Sequence, residues 1–224
     1  MSWRLSTKDL FKVYIEKNNI SYNSVYMFGV YTGESVWDMI NILGNKYQYW
    51  AFDSFEGLPE ETKEPIAQEC WKKGDFNAME KLGCSSIEET IKVVNEKVSS
   101  NISCSPSLKW VPGYFNQSLQ KLIEEKCVLG PALYVDIDCD LYSSTVDALD
   151  FLFRNKVIRR GTVIGYDDWG GSPGWFANVD GESRAHAEMC EKYGVTAVKV
   201  FQSGNRFPHV QTMWIVTEVN NPDA

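Results

Sequence analysis

Four carboxylates in this chain stand at the ends of two apolar runs. The first run starts at Ala132, reaches Ile137 and continues as Asp138-Cys-Asp-Leu-Tyr-Ser-Ser-Thr145. The second, Thr162 to Tyr166, is followed by Asp167 and Asp168. Carboxylates brought this close repel one another unless a positive group lies between them. An all-oxygen set suits a hard cation, most simply Mg²⁺. A single Asp, such as Asp138 or Asp167, reads equally well as the cap of the next helix. Two pairs on neighbouring strand ends favour a site.

The elements that must carry these residues follow from periodicity. Between the two runs lies Ser144 to Lys156, with apolar residues at Val146, Leu149, Phe151, Leu152 and Phe153. That spacing predicts a helix with one face on a sheet. Strand, helix and strand in so short a span form a βαβ unit, so the strands are parallel and adjacent. Their carboxyl ends then lie side by side, where open α/β sheets bind ligands.

Upstream, Ser24 to Gly29 reads as a buried strand. Gly29 and Gly33 flank a turn, and Ser35 to Leu43 reads as a helix with Val36, Met39, Ile40 and Leu43 on one face. Glycines between strand and helix let a ligand approach the backbone at a helix N-terminus. The spacing is not G-x-G-x-x-G, so the dinucleotide fingerprint fails. Tyr47 to Phe52 reads as a second strand ending in Asp53, 24 residues after Gly29 (53 − 29 = 24). An acid in that phase suits ribose hydroxyls.

The remaining elements are a helix at about 7–19, a charged helical insertion at about 60–101, a third strand over Ser107 to Val111, an exit turn over Pro112 to Phe115 and a helix over Ser118 to Glu125. The insertion reads as a lid, a contact between copies in a homo-oligomer, or plain packing. After Asp168, Trp169 to Phe176 is a glycine- and tryptophan-rich loop suited to sugar or aryl faces. Gly181 to Tyr193 reads as a helix. Val195 to Phe201 and Thr212 to Val216 read as an antiparallel pair joined through Gly204-Asn205.

Residues 1–224 fit one domain with ample core, 44% of the residues being hydrophobic. A net charge of −8 makes the chain a poor partner for nucleic acid or anionic membranes. The six cysteines have no C-x-x-C spacing and there are only two histidines, so no zinc site is readable. Dispersed cysteines, an N-terminal stretch without an apolar core and the lack of a membrane-length apolar run point to a reducing, cytoplasmic setting.

Five phrases occur in order: Val25-Tyr-Met-Phe-Gly-Val-Tyr-Thr-Gly-Glu-Ser35, Trp50-Ala-Phe-Asp-Ser-Phe-Glu-Gly-Leu-Pro59, Val111-Pro-Gly-Tyr-Phe115, Asp138-Cys-Asp-Leu-Tyr-Ser-Ser-Thr145 and Asp167-Asp168. Together they resemble the macrocin O-methyltransferase family, class I enzymes that use S-adenosylmethionine to methylate sugar hydroxyls on natural products. The resemblance runs from about Val25 to Asp168. It implies an α/β, Rossmann-like class I methyltransferase fold, a mostly parallel seven-stranded sheet with helices on both faces and a reversed last strand. It also implies a divalent metal, Mg²⁺ or Mn²⁺, and a sugar or glycan acceptor. By motif matching, Asp138, Asp167 and Asp168 fall on the metal ligands and Asp140 on the general base. Gly29, Val30, Tyr31, Gly33 and Ser35 fall on the cofactor loop. Asp53 falls on the ribose position with Ser54 and Phe55 beside it, and Gly113 and Phe115 lie near the cofactor. Met27 stands where the family usually has Glu.

The mechanism expected from this reading is metal-assisted methyl transfer, with Asp140 taking the hydroxyl proton. Its rivals are a metal-dependent catechol methyltransferase, a D-x-D glycosyltransferase and a D-x-D phosphatase. The phosphatase motif usually has Thr or Val where this chain has Tyr142. Its lysine motif also has no room between Asp140 and Asp167.

Overall fold

In a computed structural model of the chain, the described residues are 14–62, 71–100, 102, 106–170, 181–202 and 210–220. Their strands are β1 (Ser24–Phe28), β2 (Gln48–Asp53), β3 (Ser107–Pro112), β4 (Ala132–Ile137), β5 (Val163–Gly170), β6 (Val195–Gln202) and β7 (Val210–Val219). The helices are α1 (Glu34–Leu43), α2 (Ala78–Leu82), α3 (Ile87–Ser99), α4 (Phe115–Glu124), α5 (Tyr142–Arg154) and α6 (Gly181–Lys192). Residues 14–18 are also helical.

One seven-stranded sheet has the order β3-β2-β1-β4-β5-β7-β6. Strands β1 to β5 pair in parallel, and β7 is antiparallel to both β5 and β6. The expected Rossmann-like α/β architecture with a reversed last strand is therefore present. The chain leaves β1 towards β2 on one side, while β4 sits on β1's other side. That reversal of direction opens a crevice at the carboxyl ends of β1 and β4.

The central strands are apolar on both sides, as parallel strands between two helical layers must be. Tyr26, Phe28, Trp50, Phe52, Val135, Ile137 and Tyr166 pack with α4, α5 and α6 through Leu119, Leu122, Leu149, Leu152, Phe153 and Met189. Val25, Met27, Tyr49, Ala51, Leu133 and Val163 face α1 and α3 through Val36, Met39, Ile40, Val94 and Val98. Each such fully buried aliphatic or aromatic side chain stabilises the fold by about 1.5–3 kcal/mol relative to exposure. Met27 is thus an apolar core residue, in register with Asp136 on β4.

Boundaries differ from the sequence expectation at helix starts. Helix α5 begins at Tyr142 and α4 at Phe115, because only short turns, residues 138–141 and 113–114, separate each helix from the strand before it. Within the 60–101 stretch, α3 is capped by Ser86, whose side chain accepts from Glu89 N, and lays Val94 and Val98 into the core. The start of the helix expected at about 7–19, the Gly171–Phe176 part of the aromatic loop and the Gly204-Asn205 link lie outside the described residues. No helix among the described residues is long and apolar enough to cross a membrane.

Candidate active site

The crevice is a cavity of about 500 Å³ along the carboxyl edge of the sheet. Gly29, Tyr31, Asp53, Ser54, Tyr114 and Phe115 line one part of it, and Asp138, Asp140, Asp167 and Asp168 another. The glycine turn and the carboxylates therefore share one space.

Two local irregularities gather the carboxylates. On a regular strand, Asp167 and Asp168 would point to opposite faces. Here β5 advances four residues from Tyr166 to Gly170 while its partner β7 moves only two, from Thr212 to Val210 (170 − 166 = 4; 212 − 210 = 2). The bulge lets both carboxylates turn to the same place. The Asp138 and Asp140 pair does not rely on strand alternation either. Strand β4 ends at Ile137, Asp140 has φ 61°, and Leu141 N donates to Cys139 O at 2.6 Å. A tight turn with Asp in the left-handed region, which Asp tolerates better than most residues, brings the two together.

One oxygen from each of Asp138, Asp167 and Asp168 lies within 4.8 Å of the others. An all-oxygen set of that span fits a hard divalent cation. The Asp140 carboxyl is outside that trio. Burial, then the charges of Asp168 and Asp138, push Asp140 well above the usual carboxylate range, and a hydrogen bond with Asp168 adds to the rise. The same forces, burial first and then Asp168 and Asp138, raise Glu182. Such a cluster carries too much negative charge for its low-dielectric setting, a strain that a bound cation would relieve. Gln211 on β7 donates from Nε2 to Asp167 Oδ1 at 2.7 Å, orienting that carboxylate.

Asp53 is nearly fully buried. Its Oδ2 accepts from Val30 N and Tyr31 N, both at 2.8 Å, and its Oδ1 accepts from Phe55 N at 2.7 Å. Burial still raises its pKa against the pull of those N–H groups. A carboxylate has about four acceptor positions. Three clasp the glycine turn to the β2 exit, which leaves one direction for a ligand. Gly113 N donates to Asp53 O at 2.9 Å, so the β3 exit joins the same clasp.

The other expected cofactor residues support this frame without lining the cavity. Val30 and Phe55 are buried side chains. Gly33, at φ 87°, faces α3: a Cβ there would stand 2.6 Å from Val94 Cγ1. Ser35 lies in the first turn of α1. Leu58, Pro59, Glu60, Thr62 and Phe76 build a further wall; sequence reading named none of them as a site residue, although Leu58 and Pro59 end the second motif and the other three fall in the 60–101 insertion. Leu58 N donates to Asp75 O and Gly74 N to Leu58 O, while Glu61 Oε2 accepts from Ser143 N at 2.8 Å. Glu182 and Gln211 were also missed. An acid in a helix's first turn and a glutamine on a late strand carry no signal of their own.

The macrocin O-methyltransferase family model matches residues 13–191. No curated protein sequence matches the chain. Among solved structures, the O-methyltransferase NovP is similar with TM-score 0.66 and 20% identity, covering 96% of this chain and 80% of that one. The apo structure of CalS11, a TDP-rhamnose 3'-O-methyltransferase of calicheamicin biosynthesis, gives 0.56 and 15%, covering 94% and 78%. An O-methyltransferase from Bacillus cereus in complex with SAH gives 0.53 and 16%, covering 95% and 81%. These likenesses concern the fold. The family match spans most of the chain, sets aside the glycosyltransferase and phosphatase readings, and makes this protein an enzyme: it belongs to the macrocin O-methyltransferase family.

Proposed function

We propose that the chain transfers the methyl group of S-adenosylmethionine to a hydroxyl of a sugar, on a glycan or a glycosylated natural product, at a site that also holds Mg²⁺ or Mn²⁺. The observation that carries this reading is the single cavity shared by the glycine turn, Asp53 and the carboxylate trio. The acceptor class is supported by the family and by the CalS11 structure, described as that of an enzyme acting on TDP-rhamnose.

An alcohol is a poor nucleophile because its pKa lies far above neutrality. A bound divalent cation lowers that pKa, and S-adenosylmethionine brings a methyl group already on a good leaving group. The chain's own residues do the rest. Asp138, Asp167 and Asp168 hold the cation, with Gln211 fixing Asp167. Asp140, in the same cavity but outside the trio, takes the hydroxyl proton as a positioned carboxylate base. Asp53 and the Gly29 turn hold the cofactor, Asp53 by its remaining acceptor direction. The cavity walls at Leu58–Thr62 and Phe76 limit water and keep the reacting groups in line.

Labelled methyl transfer from S-adenosylmethionine to methyl glycosides with vicinal hydroxyls tests the reading, with catechol as the competing acceptor. Calorimetric titration with S-adenosylhomocysteine and with UDP- and GDP-sugars runs beside it. We expect S-adenosylhomocysteine binding and glycoside methylation. Transfer confined to catechol would replace the acceptor, and nucleotide-sugar binding without S-adenosylhomocysteine binding would sink the proposal.

A further inference from the structure

Among the described residues, three buried side-chain nitrogen or oxygen atoms lack a hydrogen-bond partner: Nε1 of Trp37, Nε1 of Trp50 and Oε1 of Glu182. The first two are neutral N–H groups. The third belongs to a carboxyl group that is 0% exposed. Leaving a buried carboxylate oxygen unpaired costs more than leaving an indole, and proteins rarely retain one without a compensating charge. The charged groups that bear most on Glu182 are Asp168, Asp138 and Asp167, all of its own sign.

Its position is built. Gly181 opens α6 against the Asp140 turn: a Cβ there would stand 3.2 Å from Tyr142 N and 3.6 Å from Asp140 O. That close approach seats Glu182 behind the carboxylate trio. Its Oε2 then accepts from the backbone N–H of Asp168 at 3.0 Å. This bond fixes the bulged stretch of β5 that carries two of the three metal-facing carboxylates. The α6 N-terminus alone favours an acid in its first turn too weakly to offset a buried charge among three others.

We propose that Glu182 is a positioning residue of the cation site: it locks Asp168 through the backbone and adds a buried negative charge that is offset when the divalent cation is bound. The inference rests on the metal reading above. Groups that orient metal ligands from behind typically change metal affinity by about 10–100-fold when lost.

The test is calorimetric titration of Mg²⁺ into the full chain saturated with S-adenosylhomocysteine, for the unmodified protein and for Glu182→Gln. Gln keeps the shape and the acceptor for Asp168 N–H and removes the charge. It also mimics a Glu182 that is merely a neutral, structural acid. We expect Mg²⁺ affinity to fall about tenfold or more in Glu182→Gln, S-adenosylhomocysteine affinity to stay unchanged, and Mg²⁺ to raise the thermal midpoint less than in the unmodified protein. Equal Mg²⁺ affinity in the two proteins overturns the role of Glu182 and leaves the metal reading standing. An unmodified protein that binds neither Mg²⁺ nor Mn²⁺ overturns the metal reading, and this inference with it. A second measurement needs no variant: Mg²⁺ should slow hydrogen exchange of the Asp168 amide, and unchanged exchange in a protein shown to bind Mg²⁺ overturns the proposal.

Discussion

The carbonyl oxygen of Asp138 lies 1.8 Å from where a Cβ on Gly29 would stand. Gly29 has φ 79°, and Asp138 N donates to Phe28 O at 2.9 Å. The glycine turn and the D-x-D turn are thus in backbone contact, and the absent side chain at position 29 sets where Asp138 sits. Gly29→Ala must push the two turns apart and holds a left-handed conformation that costs about 1–2 kcal/mol. We expect it to weaken cofactor and metal binding together while the protein still folds, measured by calorimetry with S-adenosylhomocysteine and Mg²⁺. Unchanged Mg²⁺ affinity would mean that Asp138 is positioned from elsewhere.

Asp53→Ala strips acceptors from three backbone N–H groups, those of Val30, Tyr31 and Phe55. Orphaned donors cost about 1–3 kcal/mol each where water cannot reach them. The variant should therefore lose roughly 3 kcal/mol or more of stability as well as affinity for S-adenosylhomocysteine. Urea unfolding and calorimetry read the two effects separately. A loss of affinity with full stability would show that Asp53 serves the ribose and not the clasp.

Asp140 and Asp138 are separable by substitution with Asn. Asn tolerates the left-handed region as Asp does, so Asp140→Asn at φ 61° keeps its turn. It should bind Mg²⁺ and S-adenosylhomocysteine but lose about 10²-fold or more in turnover. Asp138→Asn should weaken Mg²⁺, with activity partly restored by excess metal. EDTA should abolish methyl transfer by the unmodified protein and leave S-adenosylhomocysteine binding largely intact. Rescue of Asp140→Asn by metal, but not of Asp138→Asn, would exchange the two roles.

Behind the site, His186 Nδ1 and the Tyr166 hydroxyl are 2.8 Å apart, among the rings of Trp169 and Trp214. Burial lowers the His186 pKa from 6.5 to about 4. Between those values the unfolded chain binds a proton that the folded chain refuses, so stability is present above 6.5 and falls as pH drops towards 4. From pH 7 to pH 5 this residue should remove about 2 kcal/mol. His186→Phe keeps a ring in the cluster and should show a smaller loss over that interval in urea unfolding. An equal loss in both proteins would place the acid sensitivity in other groups.

Strand alternation, helix periodicity and turn glycines are local properties, and they were enough to place β1, β2, β4 and β5, the βαβ unit and the order of the site motifs along the chain. Asp138, Asp140, Asp167 and Asp168 could be assigned to one edge because parallel neighbours joined by a helix must end on the same side. How four carboxylates reach one point was not legible. Regular strands would have sent Asp167 and Asp168 apart, and it took a bulge against β7, some forty residues later in the chain, to turn both inwards. Asp53 shows the same division: its place at the β2 end is written in the sequence, whereas its three backbone partners come from another strand's exit and from its own turn. Glu182 was invisible for the plainest reason. Its type and its place in a helix's first turn are ordinary, and only the packing of Gly181 against the D-x-D turn buries its carboxyl group against Asp168.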